Sequence, residues 1–189
     1  MENNSWLNLK NQKTYVIIFL SNKKGMITMK VIFLDIDGVV NCWGTKERAP
    51  SKVIGVEQRL IAHIKEIVDA TGAKLVLSST WRKDWAFNLL NGKDWDYLRE
   101  EFAKQDLYFL DYTPSRRDSH RGEEIKEWLE STGYEVESYV VIDDEMYDIW
   151  DLHEGHMVQT SFDSGIKPGA VKMAIDILAK EDNPYGDVL

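Results

Sequence analysis

The sequence predicts an α/β protein, a small doubly wound parallel sheet covered by helices, on three observations. Short apolar runs alternate with helix-period segments from Met29 onward, five such runs can be counted, and several of them end in acidic or hydroxyl residues. The chain has 189 residues, enough for about one domain with a single core. Hydrophobic residues make up 43% and charged residues 29%, with 4 Pro and 12 Gly, which excludes a disordered or fibrous chain.

The first strand is read at Val31 to Asp35, where a β-branched and aromatic run opens directly after Met29-Lys30. A helix follows over Val56 to Ala70, with Leu60, Ile61, Ile64, Ile67 and Val68 on one face and Gly72 as its stop. The second strand is Lys74 to Ser78. Trp81 to Gln105 is helical in two pieces divided at Asn91-Gly92, and the third strand is Leu107 to Leu110. A helix over Glu123 to Glu130 leads into the fourth strand, Tyr139 to Asp143, and a weaker fifth strand, Met157 to Thr160, precedes a helix over Pro168 to Ala179. The working domain therefore covers residues 29–180. Residues 1–28 read either as an over-extended start or as an added edge strand at Thr14 to Leu20, and residues 181–189 as a frayed tail.

The net charge of −9 argues against a general nucleic-acid coat or an anionic-membrane binder, while Arg116, Arg117, His120 and Arg121 form a local basic group. Tyr15 to Leu20 is too short to span a bilayer. The single cysteine, Cys42, excludes an internal disulfide and fits a reducing, cytoplasmic setting. No obligate protein partner is evident.

In open parallel sheets ligands bind beyond the carboxyl ends of the strands. The first strand ends Asp35-Ile36-Asp37-Gly38, and side chains two apart in an extended chain point the same way, so both carboxylates can address one substrate. The second ends Ser78-Ser79-Thr80, the fourth Asp143-Asp144, and Asp148 is read as lying one helical turn farther on. Carboxylates converging on one sheet edge repel one another, and a hard divalent cation, most simply Mg²⁺, relieves that repulsion.

The ordered set Phe33-Leu34-Asp35-Ile36-Asp37-Gly38-Val39-Val40-Asn41, Leu77-Ser78-Ser79-Thr80-Trp81-Arg82, Arg121-Gly122-Glu123-Glu124-Ile125 and Asp143-Asp144 resembles the haloacid dehalogenase (HAD) superfamily of phosphatases over about Met29 to Leu178. Within it the chain is similar to the domains fused to RNA-repair proteins, and more distantly to polynucleotide 3′-phosphatase domains. The resemblance implies a Rossmann-like three-layer α/β/α sandwich with the first strand central and little or no cap domain. Only a short flap fits between Gly38 and Val56, and only a helical elaboration between Lys83 and His120. It also implies a Mg²⁺-dependent phosphomonoester hydrolase, with a nucleotide or a nucleic-acid terminus among its candidate phosphorylated substrates.

Carried over by residue, the resemblance makes Asp35 the nucleophile and Asp37 the general acid and base, with the Asp37 main-chain carbonyl a metal ligand. Ser78, or its neighbour Ser79, would bind a phosphoryl oxygen, Gly38 would permit close approach of substrate, and Arg82 would reach it from the rim. Arg121 would be the basic residue, with Lys126 as its rival. Asp35, Asp143 and Asp144 would hold the metal, with Asp148 as a further ligand or support. His153 and His156 are not expected to form a metal pair, and Trp81, Trp85, Trp95, Trp128 and Trp150 are expected to serve packing, with a substrate contact at the site's rim the alternative for Trp81. Two rival readings fit the sequence less well. A receiver-type signalling domain has the acidic motifs in the opposite order, and a catalytically silent binding module would more often have lost Asp35 or Asp37.

Overall fold

The computed structural model describes residues 28–87, 92–115 and 120–180. The expected edge strand at Thr14 to Leu20, the tail, and Arg116 and Arg117 lie outside these residues. Five parallel strands, β1 (Thr28–Leu34), β2 (Lys74–Leu77), β3 (Phe109–Tyr112), β4 (Glu135–Asp143) and β5 (Met157–Gln159), form one sheet in the order β3-β2-β1-β4-β5. The first strand is central, as expected. The chain moves outward from β1 to β2 and β3 on one side, then returns to place β4 on the other, so the β1/β4 boundary is the topological switch point where such sheets bind ligands.

Toward their carboxyl ends the central strands are continuously apolar and buried, over residues 31–34, 75–77 and 140–142, because both faces are covered there. Ile32 and Leu34 on β1, Leu75 and Leu77 on β2, and Val140 and Ile142 on β4 face one core. That core is closed by α1 (Gln58–Thr71), α3 (Lys93–Ala103) and α6 (Pro168–Leu178). Val31, Phe33, Val76 and Val141 face the other core, closed by α4 (Arg121–Ser131) and the short α5 (Ile149–Leu152). The two-residue period of the strands thus sorts the side chains into two layers of helices around one sheet. Helix α2 (Arg82–Phe87) leaves the carboxyl end of β2.

Local chemistry sets the ends of these elements. Gly72 ends α1 in the left-handed conformation, φ 72°, with its N–H donating to the Val68 carbonyl at 2.8 Å. Pro168 opens α6, where a missing N–H costs nothing. The third strand starts two residues later than its apolar run suggests. Asp106 takes φ 55° and the Leu107 N–H turns back to the Phe102 carbonyl at 3.2 Å, so Leu107 belongs to the exit of α3. Helix α4 begins at Arg121 rather than Glu123. Trp85 and Trp95 stack at 4.0 Å and Trp128 is buried, as packing residues should be, whereas Trp150 is 56% exposed. Among the described residues no helix is long and apolar enough to cross a membrane.

Candidate active site

Asp35 is the first residue past β1 and Asp143 the last of β4, so the two neighbouring strands deliver their carboxylates to one point. Asp144 follows directly. One carboxylate oxygen from each of Asp35, Asp143 and Asp144 lies within 4.8 Å of the others, a group that could hold a metal ion. Gly38 makes this convergence possible. Its φ is 71°, and a Cβ there would land on the Asp144 carboxylate. Gly38→Ala is therefore expected to displace Asp144 and weaken divalent-cation binding by about tenfold or more, as calorimetry would read.

Three close carboxylates in a water-poor corner resist ionisation. Burial, reinforced by Asp143 and Asp37, pushes Asp35 up to about 7 even though Arg121 opposes the shift. Burial, then the Asp35 charge, raises Asp144 to about 6, and burial raises Asp143 as well. Arg121, at the start of α4, supplies the local positive charge. Its Nη1 lies 2.8 Å from Asp35 Oδ1 and also pairs with Asp143. Lys126 is exposed on the same helix, so Arg121 is the basic residue that the fold brings to this point.

Asp37 stands apart from the three-carboxylate group. Its Oδ1 accepts a hydrogen bond from Asn41 Nδ2 at 2.7 Å and its Oδ2 one from Trp81 Nε1 at 3.0 Å. Asn41 Oδ1 in turn accepts the Gly38 N–H at 3.0 Å, closing the turn on itself. Neither anchor was assigned to Asp37 from the sequence. Asn41 had a readable signal, an amide four residues beyond an Asp across a tight turn. Trp81 was read as packing, and its indole N–H reaches Asp37 across 44 residues of sequence.

Ser78 follows Leu77, which pairs with Leu34, so Ser78 lies beside Asp35 in the sheet register. The Ser78 and Ser79 hydroxyls are both buried without a hydrogen-bond partner. Ser79 also lies close enough to Asp35 to lower its pKa slightly, although the approach falls short of hydrogen-bond geometry. Buried hydroxyls of this kind are costly unless a ligand uses them.

Two expected site residues lie elsewhere. Arg82 is 2% exposed and does not reach the rim. It donates to the Ser78 and Ser79 carbonyls, reaches the Pro114 carbonyl at 3.2 Å and pairs with buried Glu124, so it braces the end of β2 against α4. The segment after Asp144 is not helical, which turns Asp148 away from the three-carboxylate group. Its Oδ2 accepts the Glu123 N–H at 3.1 Å and lies against Gly122, holding the first turn of α4 that carries Arg121. His153 contacts the Gly122 carbonyl at 2.9 Å and Tyr139 Oη at 3.0 Å, while His156 stacks on Tyr139, so they form no metal pair.

Residues 31–171 match the family described as the HAD domain in Swiss Army Knife RNA repair proteins. The chain belongs to this family. One solved structure with a similar chain is that of the Pnkp1/Rnl/Hen1 complex, at 14% identity and a TM-score of 0.45. The match covers 77% of this chain and 52% of that one, so this HAD domain spans about half the length of its structural neighbour. No curated protein matches the chain.

Proposed function

We propose that this HAD domain is a Mg²⁺-dependent phosphomonoester hydrolase that works through an aspartyl-phosphate on Asp35, with a nucleotide or nucleic-acid end among its substrates. The observation that carries the reading is the division of labour between two aspartates two residues apart. Asp35 sits among carboxylates against Arg121, while Asp37 is held outside that group by Asn41 and Trp81.

In this reading an Asp35 oxygen attacks phosphorus, and the bond from phosphorus to the leaving oxygen breaks as Asp37 gives that oxygen a proton. Asp37 then removes a proton from water, which attacks the same phosphorus and releases phosphate with Asp35 restored. Arg121 and the orphaned Ser78 and Ser79 hydroxyls offer donors to the phosphoryl oxygens, and a preformed set of donors is the main demand of phosphoryl transfer. Asp35, Asp143, Asp144 and the Asp37 carbonyl would hold Mg²⁺, which when bound would supply the positive charge that Arg121 alone cannot give three carboxylates. Asp148 supports α4 and is not among the proposed ligands. The test is phosphate release from p-nitrophenyl phosphate and a panel of phosphomonoesters, expected with Mg²⁺ and lost in EDTA. Release unaffected by EDTA would reject the metal-dependent reading.

The raised carboxylates fix a second expectation. Between about pH 4 and pH 7 the folded state holds protons that the unfolded carboxylates have already lost, so stability falls as pH rises through that window. In EDTA the melting temperature is expected to be lower at about pH 8 than at about pH 5, and Mg²⁺ is expected to recover most of the difference. A melting temperature that rises across this range in EDTA would show that the carboxylates are not raised.

A further inference from the structure

A general acid must touch the leaving oxygen, so the space that Asp37 opens onto is where the leaving alcohol lies. This inference rests on the phosphatase reading above. Asp37 is part of the wall of a cavity of about 370 Å³ that runs past Trp81 and Thr80 to Ser51 and Val53 on the flap. The volume falls within the usual range for small-molecule sites.

The cavity is preformed. The flap between Asn41 and Val56 is pinned by the Arg48–Ile54 bridge and by the Gly55 N–H on the Glu47 carbonyl at 2.9 Å. It is tied to α3 by the Ser51 N–H on Asp94 Oδ1 at 2.9 Å and by the Val56 N–H on Tyr97 Oη at 3.1 Å. Its walls are mostly apolar. Val53 is 48% exposed there, an aliphatic side chain set on the flap with no core to fill. Asp84 accepts the Asp94 and Trp95 N–H groups at 3.0 Å each, which fixes it as the N-terminal support of α3 beside the cavity. Apolar walls favour an uncharged ring over an anionic one, whose charge would lose water against them.

We propose that this cavity is a leaving-group subsite that selects phosphomonoesters of an uncharged, ring-bearing alcohol, the chemistry of a nucleoside hydroxyl, with Val53 and Trp81 as its apolar contacts. The decisive comparison is 2-phenylethyl phosphate against ethyl phosphate, whose leaving oxygens are both primary alkyl and which differ in the ring. The ring is expected to raise kcat/KM by about 30-fold, the scale of burying one phenyl group. A carboxylate on the ring is expected to remove most of that advantage. Val53→Asp, a change on an exposed flap position, is expected to cut the ratio of the two esters by about tenfold or more, because it places a further charge where the ring would pack.

Equal kcat/KM for the two esters, or an unchanged ratio in Val53→Asp, would overturn the subsite while p-nitrophenyl phosphate turnover still upheld the phosphatase reading. If wild type hydrolyses none of these esters, the phosphatase reading fails and the subsite is decided by calorimetry. Tighter binding of 2-phenylethyl phosphate than of ethyl phosphate, reduced in Val53→Asp, keeps it, and equal affinities overturn it.

Discussion

Asp35→Asn is expected to lower kcat for phosphomonoester hydrolysis by at least about a thousandfold while raising the melting temperature at pH 8 in EDTA. The two effects have one cause. The Asp35 carboxylate, the proposed nucleophile, is 4% exposed and held beside Asp143 and Asp144, so its ionised form is costly in the folded state. An amide of the same shape removes that cost and the nucleophile together, and leaves Arg121 paired with Asp143. Steady-state kinetics and thermal melts of the same preparation check both halves. A variant that loses activity and stability together would instead mean that Asp35 serves the fold.

Arg82→Met is expected to destabilise the protein by about 3–5 kcal/mol, the cost of leaving one member of a buried ion pair behind. Glu124 is almost as inaccessible as Arg82, and water cannot easily replace the guanidinium. The same change frees the Ser78 and Ser79 carbonyls from their shared donor, so the hydroxyls beside Asp35 lose their footing. Urea denaturation reads the first effect, and kcat/KM for p-nitrophenyl phosphate the second. Adding Glu124→Gln is expected to recover part of the stability, because it lowers the negative charge held in that buried corner, but little of the activity. A loss below about 1 kcal/mol would show that the pair is solvated and does not brace β2 against α4.

These two arginines show where sequence reasoning reached and where it stopped. Arg121 was legible through the family resemblance, which implies a basic residue at about its distance ahead of Asp143. Asp35, Asp37, Asp143 and Asp144 were legible on other grounds, since strand ends and a period of two fix where such side chains go. Arg82 carried no such signal. Its role depends on Glu124, 42 residues away on an element that crosses above the sheet, and a charge beside a motif looks the same whether it faces substrate or a buried partner.

Of the two roles read for Asp148, ligand and support, the first lacks its geometry for a local reason, because the helical spacing assumed for Asp144 to Asp148 is broken by a turn and the carboxylate supports α4. Trp81 is an intermediate case. Apolar character correctly placed it in the core, but the one polar atom of its ring decides its function.

The central claim is that Asp35 becomes phosphorylated during turnover. Wild-type protein turning over p-nitrophenyl phosphate with Mg²⁺ can be quenched with borohydride, which reduces an acyl phosphate to the alcohol, and the peptide carrying Asp35 read by mass spectrometry. The account predicts homoserine at position 35, dependent on substrate and Mg²⁺, with Asp37, Asp143 and Asp144 unreduced. Sustained phosphate release with Asp35 unreduced, or reduction at another of these carboxylates, would contradict it.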